Sequence, residues 1–312
     1  MTKYHNFIGI DIGKFSFVIN VYGEKVVTEF DNTNAGIRKF IVQYKGILSS
    51  SLSILETTGG YENNLLQFLS MKGYAVHRSD TRKVKNFIRS YGNAVKTDAL
   101  DAKALALYGK ERVDGLSLYE SPPKQQKLLF QLSQRRMELK QMIVAEKNRL
   151  SGPDSNNIRN SCNTMIKAIE QEISRVTEEI QAISSQDEVI SSKVKVLMTV
   201  AGIGEITALN LLILLPEIGS LSRRKIASLA GLAPRANDSG MFKGYRSVGH
   251  GRQGIKPILF LSAMAARNSK TDLKEFYDKL ISRGKKKMVA LTALMRKILV
   301  IANAKLKSIT LN

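Results

Sequence analysis

The chain has 312 residues, 43% of them hydrophobic, so it is long enough for two domains plus a connector and can bury real cores. Its formal net charge of +21 points to a polyanionic partner, nucleic acid before an anionic membrane surface. Cys162 is the only cysteine and there are three histidines, which excludes an intrachain disulfide and a zinc site of the usual Cys/His kind and fits a reducing compartment.

The opening "MTKYHNFIGI" lacks the charged start and long apolar run of a secretory signal. Residues 6–30 read as three strands, "FIGIDIG", "FSFVINVYG" and "KVVTEF", the last two separated by a turn at Gly23-Glu24. "NTNAGIRKFIVQYKG" has capping residues and helical spacing. "SLSILE" is a further strand ending at Glu56, "GGYENNLLQFLSMKG" a helix and "YAVHRS" a strand. "TDALDAKALALYGKERV" is a helix with Thr97 at its N-cap. Three strands followed by alternating helices and strands predict a mixed sheet flanked by helices.

From Pro122 to Leu150 the chain is polar and helix-favouring, with leucines at 128, 132, 139 and 150. After the break "SGPDSNN", Ile166, Ile169, Ile173, Val176, Ile180 and Ile183 recur at spacings of three and four, the seam of a coiled coil. Two long helices joined by a turn predict an antiparallel hairpin. Such a hairpin either pairs only with itself or also recruits a second copy through its other faces.

The last stretch is basic and mainly helical. Residues 1–120 carry 16 basic and 12 acidic side chains, residues 121–186 carry 10 and 7, and residues 187–312 carry 22 and 8. Much of the polyanion contact is therefore expected in the last third. "TVAGIGEITALNLLILL" carries the Gly-x-Gly turn of a helix-hairpin-helix at Gly202 and Gly204, which is either a tight turn alone or a phosphate-binding helix start. The run "ALNLLILL" is the longest apolar stretch and is far below the ~18 residues of a spanning helix. A cytoplasmic, soluble protein with no membrane partner is expected. "AGLAPRANDSGMFKGYRSVGHGRQG" reads as a long loop region.

Four acids stand out. Asp11 lies inside the first strand between Ile10 and Ile12, where a carboxylate is costly to bury unless paired or bound. Glu56 ends a later strand. Asp98 and Asp101, three apart, share one helix face. Read singly, Glu56 could cap the next helix, and Asp98 and Asp101 could simply favour a helix N-terminus. Ligands of an open α/β sheet gather at the carboxyl ends of its strands. Four acids converging there suit Mg²⁺, with Mn²⁺ as its substitute, and two such ions serve phosphoryl transfer. A strand-borne Asp, then Glu, then a helix-borne Asp pair is the order of an RNase H-like nuclease core.

With "IGIDIGK", "LETTGGYE" and "KTDALDAKALAL", then "VAGIG", "GLAPRANDSG" and "GRQGIKPILFLSAMAA", the sequence resembles the DEDD-type insertion-sequence recombinases over nearly its whole length. That family includes the Piv site-specific invertases and the bridge-RNA-guided transposases. The resemblance implies a RuvC-like metal-binding domain at 1–120, a coiled-coil hairpin for dimerisation at 121–190 and a basic helical transposase domain at 191–312. It also implies a nucleophilic serine, which "NDSG" places at Ser239. From spacing alone Ser239 is an ordinary turn serine. Arg235, Lys243, Arg246 and Arg252 surround it, either as phosphate clamps or as solvated charge.

The implied partners are target and donor DNA, an element-encoded noncoding bridge RNA, and further copies of the chain, from dimer to tetramer. The implied activity is DNA transposition or recombination through a covalent phosphoserine. Two alternatives stay open: a site-specific invertase without a guide RNA, and a RuvC-like structure-specific endonuclease that uses water as nucleophile. A non-enzymatic nucleic-acid scaffold ranks last.

Overall fold

The computed structural model describes residues 4–92, 97–152, 155–236 and 238–310. They divide into two units, Met1–Pro122 and Pro123–Asn312.

In the first unit, β1 (Asn6–Ile12), β2 (Ser16–Val21) and β3 (Val27–Asp31) form an antiparallel meander. There follow α1 (Asn34–Gln43), the single turn α2 (Lys45–Leu48), β4 (Ser51–Glu56), α3 (Asn63–Met71), β5 (Ala75–Ser79), α4 (Thr81–Ser90) and α5 (Asp98–Arg112). The sheet order is β3-β2-β1-β4-β5, with β4 parallel to both β1 and β5. This mixed sheet is compatible with the RNase H-like expectation. Central β1 is covered on both faces, which is why it reads as almost continuous apolar sequence. Ile8, Ile10 and Ile12 enter a core with Phe17, Phe30, Phe40 and Leu65. Phe7 enters a second core with Ile54, Val84, Phe87 and Leu105. Phe17, Phe30 and Phe40 pack as an aromatic trio with centroids 5.5, 5.7 and 5.6 Å apart.

Helix starts follow the side chains that can cap them. Thr33 accepts from the Gly36 N–H and Thr97 from the Leu100 N–H. One helix was not foreseen in the sequence. Residues 81–90 form α4, capped by Asp80, whose carboxylate accepts from the Arg82 and Lys83 N–H groups.

The second unit opens with α6 (Lys124–Leu150) and α7 (Asn156–Ser185). They are antiparallel: Gln125 donates to the Ile183 carbonyl, Arg136 to the Thr177 hydroxyl, and Lys147 pairs with Glu170. Ile166, Ile169, Val176 and Ile180 are buried, while Ile173 and Ile183 are partly so. On α6 Leu139 is buried and Leu132 partly buried, as the stripe predicts, but Leu129 is buried in place of Leu128, which is exposed.

Then come α8 (Glu188–Met198), α9 (Glu205–Leu214), α10 (Arg223–Leu229), β6 (Asp238–Ser239), β7 (Phe242–Lys243), α11 (Ile255–Ala266), α12 (Asp272–Ser282) and α13 (Lys287–Thr310). The hairpin is continuous with these helices, since Leu129, Leu139, Ile169, Val176 and Ile180 share one core with Leu197, Leu211, Ile255, Leu294 and Ile298. Residues 121–190 and 191–312 thus pack as one unit. The buried Ser133 hydroxyl donates to Asn210 Oδ1 at 2.8 Å and ties α6 to α9. Among the described residues no helix is long and apolar enough to cross a membrane.

Candidate active site

The sheet and α5 bring the four acids to one end of the first unit. In the parallel β1–β4 pair Gly9 aligns with Ile54 and Ile10 with Leu55, so Asp11 and Glu56 come next, side by side. Side chains alternate along a strand, so Asp11 shares the face of Phe7 and Gly9, and Glu56 that of Leu52 and Ile54. Phe7, Leu52 and Ile54 pack in one core with Leu105 and Tyr108 of α5, so Asp11 and Glu56 lie on the face that α5 covers.

Gly9 fixes how close α5 comes. A Cβ there would lie 1.9 Å from the Ala102 carbonyl oxygen and 2.3 Å from the Ala106 nitrogen. Further along the helix, a Cβ on Gly109 would strike Ile54 at 2.1 Å and reach Phe7 at 3.4 Å. Helix α5 therefore runs antiparallel to β1, with its start towards the carboxyl end of the strand. Asp98 and Asp101 lie one turn, about 5.4 Å, before Ala102 and Leu105. Asp11 lies two strand residues, about 6.6 Å, beyond Gly9. The acidic first turn of α5 consequently overlies the end of β1 that carries Asp11.

Asp11, Glu56 and Asp101 are half-buried and Asp98 is exposed. An all-oxygen set fits a hard divalent cation in the kind of donor it offers. The side chains are not drawn around one point: among the described residues no group of three or more His, Cys, Asp or Glu is arranged to hold a metal ion.

A fifth acid, passed over in the sequence, anchors the loop after Glu56. Glu62 is fully buried. Its carboxylate accepts from the Thr58 N–H at 3.2 Å, the Thr58 hydroxyl at 2.8 Å and the Gly60 N–H at 2.9 Å, and it pairs with Arg78. Burial pushes its pKa up, but the backbone and Thr58 hydrogen bonds and the Arg78 charge outweigh that and hold it below the usual carboxylate value. The signal in the sequence was the "TTGG" turn itself. Gly59 (φ +81°) and Gly60 (φ +123°) bend the chain so that its N–H groups face one acceptor.

In the second unit Ser239 sits on an exposed hairpin. It pairs with Phe242 across a tip made of Gly240 (φ +54°) and fully exposed Met241. Asp238 pairs with Lys243, and the Arg235–Ser247 bridge closes the base. The arginines differ in their engagements. Arg246 donates to the Asp238 carboxylate at 2.8 Å, beside Ser239. Arg252 is half-buried and grips both Glu217 oxygens, at 2.7 and 2.6 Å, and the Leu214 carbonyl at 2.8 Å. Its guanidinium is thus committed to holding the loop to the end of α9.

Gly204 is the N-cap of α9, and Glu205 fills that helix's first turn. At Gly202 (φ +86°) a Cβ would lie 2.2 Å from the Ser262 carbonyl oxygen, so close packing on α11 accounts for this glycine. Helices α8 and α9 pack together across the turn.

Residues 8–152 match the DEDD-type IS110 family model described as "Transposase", and residues 194–278 match the "Transposase IS116/IS110/IS902 family". Among curated proteins the chain is similar to a "Pilin gene-inverting protein" from Moraxella lacunata and one from Moraxella bovis. Each is 26% identical over 307 residues, covering 96% of this chain and 94% of the relative. The first match takes in β1 with Asp11, β4 with Glu56 and α5 with Asp98 and Asp101, and the second takes in the Ser239 hairpin. The chain belongs to the IS110 family of transposases, enzymes of DNA recombination.

Proposed function

We propose that this protein cuts and rejoins DNA strands through a covalent bond to Ser239, with Asp11, Glu56, Asp98 and Asp101 forming the Mg²⁺-dependent half of the site. The observation that carries the reading is the convergence of β1, β4 and the start of α5 on one end of the sheet. In the strand-cutting step the Ser239 Oγ attacks a backbone phosphorus. The Oγ–P bond forms as one P–O bond to deoxyribose breaks. The serine proton passes to a base and the departing deoxyribose oxygen takes up a proton. A hydroxyl of the exchanged strand then attacks the phosphoserine, restores the phosphodiester and returns Ser239. A divalent ion held by the four acids, when bound, supplies charge stabilisation to the phosphoryl oxygens. The acids themselves orient that charge. Arg235, Lys243 and Arg246, on or beside the hairpin, attract the phosphate and favour its approach to Ser239.

The substrates on this reading are target and donor DNA, paired by a noncoding RNA of the element, with two to four copies of the protein assembled on them. The high positive charge suits two polyanionic partners at once. A guide-free invertase is the second reading; the two relatives are named for inverting a pilin gene, which favours inversion as the outcome.

The test uses Asp11→Ala, Ser239→Ala and an equimolar mixture of the two, assayed for recombination of a plasmid-borne element and for covalent protein–DNA adducts. Each variant alone should be inactive and form no adduct, whereas the wild-type protein should form one. Recovery in the mixture would mean that acids and serine from different copies cooperate. Normal recombination by Ser239→Ala would refute the serine mechanism in favour of water-driven cleavage. Sequencing the RNA that copurifies with the protein separates the guided from the guide-free reading.

A further inference from the structure

We propose that the exposed surface of α4 binds the phosphate backbone of duplex DNA, a reading that rests on the function proposed above. Arg82, Lys83, Lys85 and Arg89 occupy this ten-residue helix, which has no acidic residue, and all four are exposed. They match the whole excess of residues 1–120, where 16 basic side chains face 12 acidic ones. Arg82 is engaged by Asp80 at 3.1 Å. Lys83, Lys85 and Arg89 make no ion pair among the described residues. Lys85 and Arg89 lie one turn apart, an arrangement that destabilises a helix unless a counter-charge covers it.

The inner face is already used. Val84 and Phe87 are buried with Leu105 and Tyr108, so α4 has no apolar stripe left to insert into a lipid surface. Position completes the case. Ser79, at the end of β5, is the register partner of Glu56. The Thr57 N–H donates to the Ser79 carbonyl at 3.2 Å, and the Thr81 hydroxyl donates to the Thr57 carbonyl at 2.9 Å. Helix α4 therefore begins beside Glu56, at the acidic end of the sheet, and leads away from it. A duplex brought to the acids, which would otherwise repel it, meets three free cations on the adjoining helix.

The test is binding without turnover, in full-length Asp11→Asn protein with and without Lys83→Gln/Lys85→Gln/Arg89→Gln. The probes are a random-sequence DNA duplex, the RNA duplex of the same sequence, and phosphatidylserine vesicles, each titrated over a series of salt concentrations. Loss of three phosphate contacts should make the slope of log K against log salt shallower by about 2.7 on DNA. A shallower slope on the DNA duplex supports the proposal, and a change confined to the RNA arm overturns it. Unchanged slopes on both duplexes overturn the proposal, as does a change seen only with vesicles. An equal effect from Lys39→Gln/Lys45→Gln/Lys72→Gln, on other parts of the same unit, also overturns it, because the effect would then be general charge. Should the triple variant melt early, Lys85→Gln alone should still shift the DNA slope by about 0.9. Because no cleavage is read, failure of the serine mechanism would leave this result standing.

Discussion

Replacing Gly9 with alanine tests the placement of α5 with a single methyl group. The new Cβ would lie 1.9 Å from the Ala102 carbonyl oxygen, whereas ordinary contact begins at 3.4 Å. The difference means that α5 must withdraw by about 1.5 Å, since both atoms belong to backbone and cannot rotate aside. Such overpacking costs about 1–3 kcal/mol, and the upper end applies here because Ala106 N is struck as well. Asp98 and Asp101 ride on the displaced helix while Asp11 and Glu56 stay with the sheet. A misplacement of about 1 Å can lower a catalysed rate by about 100-fold. Urea unfolding should show the first effect, and recombination by protein confirmed folded by near-UV circular dichroism should show the second. Gly9→Ala protein with wild-type stability and wild-type activity would refute the close approach of α5 to β1, and with it the shared acidic end.

Two further outcomes follow from buried polar groups. Glu62→Gln should destabilise the first unit by about 2–4 kcal/mol at neutral pH, less than a fully buried pair because the Arg78 side chain is 36% exposed. The folded-state pKa of Glu62 lies below its usual 4.5, so its contribution is complete above that pH and fades as pH falls through the folded value. The urea midpoints of wild type and variant should therefore converge only below pH 4.5, and a gap that stays constant into strong acid would disprove the ionised pairing. Ser133→Ala strands the buried Asn210 Oδ1 and should cost about 1–3 kcal/mol by urea unfolding, with no effect if a water fills the hydroxyl's place.

The elements legible in the sequence were those whose pattern has a single physical cause. The apolar run of β1, the N-cap at Thr97 and the apolar repeat from Ile166 to Ile183 each follow from local spacing; β1 is a strand, Thr97 caps α5, and Ile166, Ile169, Val176 and Ile180 are buried on α7. What escaped depends on partners distant in sequence. Helix α4 offers Val84, Phe87 and the partly buried Ile88 to the core amid basic residues, so its apolar signal is thin until Leu105 and Tyr108 are seen against it. Glu62 reads as one more loop acid until Arg78, 16 residues later, arrives beside it. Arg252 reads as a surface cation near a serine until Glu217, 35 residues earlier, claims it. On α6 the choice of Leu129 over Leu128 is made by the helices that follow, because the hairpin serves their core as well as its own seam.

The same reasoning resolves the oddity of a carboxylate in the middle of an apolar strand. Strand β1 spends its even-numbered positions Ile8, Ile10 and Ile12 on the core beneath the sheet. Its odd-numbered positions descend in bulk towards the carboxyl end, from Phe7 to Gly9, and end in a charge at Asp11. Phe7 fills the space near Gly109, Gly9 admits the backbone of α5, and by Asp11 the helix has reached its own first turn. Covering is incomplete there, and Asp11 is only half-buried, so its charge keeps part of its hydration and the cost of placing it is lowered. An apolar residue at position 11 would be easier to accommodate. A chain that instead keeps an acid where a second strand and a helix start also present theirs has given up packing for charge, which is the exchange that the proposed phosphoryl-transfer site would call for.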